Sequence, residues 1–327
     1  ISKRDPFRHW SSGRIRRVGL GIYITMALAV VVIASTGARF YHARAEQLRH
    51  QAERDLLTVS QNKVERIAQW REERLGDATM IVGSAYLGEA IAKWIEAPDP
   101  ADADKLLARF RITAECYRYR DVFLVDAGGR VLLSIAGFRG SVHEDAARVL
   151  AEVLRDGRPA MSDVHAGPGD LPTHVDVIAP LLSGNAGAIV LQQDVREFLY
   201  PLVESWPVPS DTAETVFFRR DGDHVLFLNE LRHAKDSALK LRIPLTHTNV
   251  PAVMAVLGRR GIETGTDYRG VKVISAIQRV PGSSWFLVSK EDAAEIFAPL
   301  TQYAWSTGII VVLLILTLAL AFGFAQF

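Results

Sequence analysis

Residues 122–133 read VFLVDAGGRVLL, and residues 216–227 read VFFRRDGDHVLF. Each is an apolar run, a glycine-containing turn and a second apolar run, the pattern of two short strands joined in a hairpin. The two stretches begin 94 residues apart. A second pair follows in the same order, VDVIAPLLSGNAGAIVLQQ from Val175 and VKVISAIQRVPGSSWFLVSK from Val271, 96 residues apart. Helical stretches lie between the members of each set, Glu144–Leu154 in the first and Pro251–Gly258 in the second. Two strand patterns recurring in one order at nearly one offset predict a duplicated unit. The fold class is therefore α+β, with two tandem units that each hold an antiparallel sheet. Two copies are too few for a solenoid.

Outward from this core, the preceding chain reads as helix. Leu48, Leu56, Val59, Val64, Ile67 and Leu75 recur at three- and four-residue intervals with Arg, Glu and Gln between them. Residues 43–75 are expected to form one long helix, uninterrupted before Gly76. Its stripe can pack on a dimer mate or on its own domain.

At both ends the sequence turns apolar. Residues 18–38, and residues 307–327 within the last segment 301–327, each supply about 20 residues with almost no charge, enough to cross a hydrocarbon core of about 30 Å as a helix. Residues 1–17 hold six basic side chains against Asp5 alone, so this leader carries +5 while the whole chain carries +1. A basic cluster beside the first span places the N-terminus in the cytoplasm. Both termini are then cytoplasmic and residues 39–300 lie outside. The expected order is a basic leader (1–17), a first span (18–38), stalk and connecting helices (39–110), a membrane-distal unit (111–206), a membrane-proximal unit (207–300) and a second span (301–327).

The charge pattern also excludes function classes. Once the leader is set aside the remainder is slightly acidic, so no nucleic-acid surface is expected. Cys116 is the only cysteine, so no intrachain disulfide forms. No Gly-x-Ser-x-Gly, phosphate-binding Gly-rich loop or His-Glu-x-x-His occurs, and no cofactor is implied. This points away from an enzyme.

Polar residues on strands covered from both sides need partners, which makes them informative. Asp163 and His165 share one side of a short extended stretch; His174 and Asp176 share one side of the next strand. A turn at Gly167-Pro168-Gly169-Asp170 would bring the two pairs together. Three readings fit these groups: solvated side chains of an edge strand, a pocket for a polar small molecule, or a divalent metal site of the kind Zn²⁺ occupies. Arg111, Tyr117, Arg118, Tyr119 and Arg120 form a basic-aromatic cluster before the first strand, suited to a carboxylate.

Two apolar spans around a stalk helix and two successive PAS-like sheets resemble the double Cache sensor family, over residues 39–300. The resemblance implies a small-molecule sensor outside the bacterial inner membrane. It would serve a histidine kinase, a diguanylate cyclase or a chemotaxis transducer and act as a homodimer. It implies that the membrane-distal unit binds the ligand and the membrane-proximal unit couples to the second span. Arg139, after the second strand, and Asp194, ending AIVLQQD, match positions where the family places ligand contacts. The amino-acid-binding subset carries an Arg-x-Trp-Tyr run, where this chain has Phe138-Arg139-Gly140-Ser141. A membrane-anchored structural protein and an extracytoplasmic hydrolase are the alternatives.

Overall fold

The computed structural model describes residues 12–167, 172–181 and 187–326. Most of the expected turn after Gly167 falls outside them. The described chain forms two compact units: Asp55–Asp292, and the residues before Asp55 together with those from Ala293 on.

The first helix, α1, runs from Ser12 to Val82 and so continues past Gly76, where the sequence reading stops it. A glycine inside a helix costs about 0.5–1 kcal/mol relative to alanine. Burial of Leu87-side neighbours Ala78 and Val82 in the first core outweighs that, since a buried valine alone contributes about 1.5 kcal/mol or more. Gly83 then ends the helix, and Ser84 caps α2 (Ala85–Glu96) by accepting from the Leu87 amide. A proline in the first turn opens α3 (Pro100–Tyr117), and Arg118 in left-handed conformation closes it.

The first sheet contains β1 (Asp121–Val125), β2 (Val131–Ser134), β3 (Ala160–Met161), β4 (His174–Pro180) and β5 (Ala188–Asp194), in the spatial order β2-β1-β5-β4-β3. Between β2 and β3 lies α4 (Glu144–Asp156), capped by His143 and ended by Gly157. After β5 a short α5 (Leu199–Glu204) leads to the second sheet. That sheet is built from β6 (Glu214–Asp221), β7 (His224–Phe227), β8 (Arg242–Pro244), β9 (Gly261–Thr266), β10 (Lys272–Arg279) and β11 (Trp285–Asp292). Its order is β8-β7-β6-β11-β10-β9, with α6 (Pro251–Val256) placed as α4 is in the first. With β8 set aside, the two orders are the same, and every pairing is antiparallel. The duplication read from the sequence is a duplication of topology.

One core holds the two sheets to each other and to α1. Val64, Ile67 and Trp70 of α1 meet Val164, Val175 and Val195 of the first sheet's region and Phe217, Trp285 and Leu287 of the second. The second sheet also buries a charged network. Lys290 Nζ lies 2.9 Å from Glu214 and 2.7 Å from Asp267; Arg269 binds Asp267 and Asp292. Burial pulls the Asp267 carboxyl up, but Lys290 and Arg269 more than reverse this and hold it below its ordinary value.

In the other unit, α1 and α7 (Ala293–Gln326) lie side by side, with the Phe40 ring edge-on to Tyr303 and Gly37 against Thr307. Ile24, Leu28 and Val31 on α1, and Ile309, Leu313 and Leu316 on α7, are more than half exposed. Among the described residues one segment, Ala293–Thr317, is long and apolar enough to cross a membrane.

Lys63 of α1 is buried and donates to Val203 O (2.7 Å), Ser205 O (2.6 Å) and Thr215 Oγ1 (2.8 Å), which uses all three ammonium protons. Burial pushes its pKa down to about 7 from an ordinary 10.5. The folded value lies below the unfolded one, so Lys63 contributes stability that is full above the unfolded value and lost as pH falls toward the folded one. Thermal melts across this range should therefore show wild type gaining on Lys63→Met as pH rises. Parallel curves would refute the assignment.

Candidate functional site

The first sheet has two covered faces of different character. Val122, Leu124, Val177, Ile189 and Leu191 point to a core shared with α2, α3 and the end of α1. Phe123, Val125, Ile178, Ala188 and Val190 point to α4 through Ala146, Leu150 and Val153. Side chains two apart on a strand share a face. Followed along the strands, the α4 face therefore continues into Asp121 on β1, Gln192 and Asp194 on β5, and Asp176 and His174 on β4. The register aligns them: Asp121 is opposite Gln192, Gln192 opposite Asp176, and Asp194 opposite His174. His165 completes the group through an antiparallel bridge to His174. One end of an otherwise apolar face is thus a patch of acids, an amide and imidazoles.

Its centre is buried. His165, His174 and Asp176 are each at most 3% exposed. His165 Nδ1 lies 2.9 Å from Asp163 O, and His174 Nδ1 lies 2.8 Å from Pro172 O. A carbonyl oxygen only accepts, so each Nδ1 is the protonated nitrogen and each Nε2 faces inward. His165 Nε2 is 3.3 Å from one Asp176 oxygen, and His174 Nε2 is 3.9 Å from the other. No hydrogen bond meets His165 Nε2 among the described residues. The two imidazoles stand edge to face at 4.3 Å, and the His143 ring stacks on His165 at 5.1 Å. Asp176 also receives a long contact from Gln192 Nε2 (3.5 Å), and its amide donates to Ser162 Oγ (2.9 Å).

The environment drives the two imidazoles apart. Burial lowers the His174 pKa, and the Asp176 charge offsets this only in part. Burial also pulls on His165, but the adjacent Asp176 carboxylate more than reverses it, and His165 ends above its ordinary value. Asp121 is raised by burial, although Ser134 Oγ (2.7 Å) and the Ala136 amide (3.3 Å) donate to it. The His165, His174 and Asp176 donor atoms all lie within 4.8 Å of one another, a set able to hold a metal ion.

The remaining residues singled out from sequence are dispersed. Asp194 is gripped by Arg196 at 2.6 Å and lines an open cleft of about 670 Å³ with Arg118, Tyr119, Arg120 and Pro172. Tyr119 is buried, its hydroxyl 3.4 Å from Asp77 and its ring beneath Arg74. Tyr117 packs beside Tyr119 but is exposed; Arg111 on α3 and Arg139 after β2 are exposed. Asp163 leaves the cluster altogether. Its Oδ1 accepts from Trp285 Nε1 (2.8 Å) at the start of β11 and from Ser284 Oγ just before it, and Arg219 approaches its other oxygen. Only its carbonyl serves the site. Asp121, Gln192 and Ser162 were not among the sequence candidates. Asp121 could have been found, because it is two residues from Phe123 on a strand covered from both sides.

Asp163→Ala would leave the Trp285 indole donor buried without a partner, at a cost of about 1–3 kcal/mol. Asp163→Asn keeps an acceptor there and should cost clearly less. Denaturant melts of both variants check the order, and equal losses would show that the carboxylate charge matters more than the acceptor.

No protein-family model matches the sequence, and no curated protein matches it. Solved structures do. The sensory domain of the Campylobacter jejuni chemoreceptor Tlp3 with isoleucine bound aligns with a TM-score of 0.54 at 11% identity, over 77% of this chain and 97% of that one. The ligand-binding domain of the Pseudomonas fluorescens chemoreceptor CtaA in complex with L-isoleucine gives 0.50 at 12% identity, over 78% and 98%. That of the Pseudomonas aeruginosa amino-acid chemoreceptor PctB with L-Arg gives 0.50 at 13%, over 76% and 98%. At such identities the likeness is one of fold: this chain shares the fold of these chemoreceptor ligand-binding domains.

Proposed function

We propose that residues 39–300 are the extracytoplasmic ligand-sensing part of a bacterial transmembrane receptor, and that the first sheet's polar patch takes a small molecule. The observation that carries this is a buried pair of imidazoles beside a carboxylate, with His165 Nε2 making no hydrogen bond, on a fold shared with ligand-binding domains. Burying such groups is costly unless a partner compensates them. The three solved relatives are described with amino acids bound. Without the Arg-x-Trp-Tyr run, this chain is assigned a polar metabolite of wider class.

In this reading both apolar helices span the inner membrane, at residues 18–38 and 301–327, with both termini cytoplasmic. The pairing of α1 with α7 and the exposed aliphatic side chains of both support two spans. Ligand binding biases two arrangements of the membrane-distal unit, by no more than its differential affinity for them. β11 passes directly into α7 at Asp292–Ala293, which gives the membrane-proximal sheet a covalent route to the second span. The receptor acts as a homodimer along residues 43–75, ahead of a kinase, cyclase or chemotaxis output.

The test is a thermal-shift screen of the detergent-solubilised chain with amino acids, amines and organic acids. A true ligand at a hundred times its Kd adds about 2.7 kcal/mol, a shift of roughly 5–10 °C for a domain of this size. The shift should vanish in His174→Ala. A screen in which no metabolite stabilises the chain would overturn the reading. For the relay, cysteine pairs introduced along residues 43–75, with Cys116→Ser as background, should change cross-linking rate when ligand is added. Unchanged rates would remove the dimer from the mechanism.

A further inference from the structure

The inward face of the buried histidine pair has an electrostatic problem. Both Nδ1 atoms donate to backbone carbonyls, so His174 Nε2 presents a lone pair inward, and His165 Nε2 faces the Asp176 carboxylate, as a lone pair when neutral and as a donor when protonated. Three potential metal donors converge in a buried space. Their carboxylate is balanced by a positive occupant, a proton on His165 or a cation in its place.

We propose that His165 Nε2, His174 Nε2 and a carboxylate oxygen of Asp176 form a binding site for a divalent transition metal of the Zn²⁺ class, with a fourth position open. Three features carry this. The donor set is two imidazoles and one carboxylate, a combination suited to such ions. The spacing is right: bonds of about 2.0–2.2 Å in tetrahedral arrangement separate donors by roughly 3.4 Å. His165 Nε2 and His174 Nε2 lie 3.3 and 3.9 Å from the Asp176 oxygens, and all the donors lie within 4.8 Å of each other. Each imidazole is also held by a backbone carbonyl at its far nitrogen, the outer contact that fixes tautomer and ring direction at metal-bound histidines.

The backbone prearranges the three. The His165–His174 bridge exchanges two hydrogen bonds (3.1 and 3.0 Å), and Asp176 lies two residues along β4 on the same face. Gln192 and Asp121, next along the row, continue the polar patch from Asp176. A small molecule bound there would find both a metal and hydrogen-bonding neighbours. The inference deepens the ligand-site reading above and rests on it for the metal's role, whereas the site itself rests on the geometry.

The experiment is a Co²⁺ titration of the detergent-solubilised chain, stripped with EDTA and dialysed, followed by visible absorption. One Co²⁺ per chain should give the d–d bands of a low-coordinate site and be displaced by Zn²⁺. His174→Ala and Asp176→Ala should each weaken binding by more than about 100-fold, beyond the usual effect of losing an outer contact. Should both alanine variants fail to fold, His174→Cys decides. Retained Co²⁺ with a new sulfur-to-metal charge-transfer band supports the site; Co²⁺ bound without that band overturns it. No uptake by wild type, or equal uptake by folded alanine variants, also overturns it and leaves a proton on His165 as the occupant. A metabolite that stabilises the EDTA-stripped chain in a His174-dependent way would keep the ligand site and overturn the metal's role in it.

Discussion

Two sheets and one helix share a single apolar core, and the rest of the domain depends on it. Val64, Ile67 and Trp70 project from α1 into a space closed on one side by Val164, Val175 and Val195, and on the other by Phe217, Trp285 and Leu287. The first sheet is covered by α2 and α3 on one face and by α4 on the other, and α6 covers one face of the second. α1 adds apolar surface that both copies share. Asp163 fastens the same junction with a polar contact, by accepting from the buried Trp285 indole. Arg71 adds a guanidinium over that indole at 4.7 Å and a hydrogen bond to Gly282 O.

The buried charges of the two sheets are arranged differently. In the second sheet Lys290 sits between Glu214 and Asp267, and Arg269 joins Asp267 to Asp292. Tyr268 closes the network with a 3.0 Å contact to Glu214. Charges there meet opposite charges, which is how buried ions are kept. In the first sheet, the corresponding end holds two imidazoles and a carboxylate that face one another. The two units share one topology, and the described residues of the first place two imidazoles against a single carboxylate at that end.

Much of the fold was legible because it rests on local patterns. Strand–turn–strand alternation marked β1–β2 and β6–β7, and the second pair of repeats marked β4–β5 and β10–β11. Period-two alternation also placed His174 and Asp176 on one face, where they are found. The same reasoning failed for Asp163. The stretch from Ser162 to Val164 is not regular strand, so alternation does not bind it, and the Asp163 side chain turns to an indole 122 residues away in sequence. Gly76 misled for a related reason: its cost is local, whereas the burial that carries α1 through it to Val82 comes from the first sheet's core.

By itself the sequence determined the α+β class, the duplicated sheet, the apolar ends and the two histidines paired with an acid. These follow from spacing along the chain, which local hydrophobic periodicity records. Only the tertiary structure decided which polar residues meet. Strand register set Asp121, Gln192 and Asp176 in one row, and backbone carbonyls turned both Nε2 atoms inward. Those outcomes depend on contacts between segments far apart in sequence, where side-chain direction is set by the partner rather than by the neighbour.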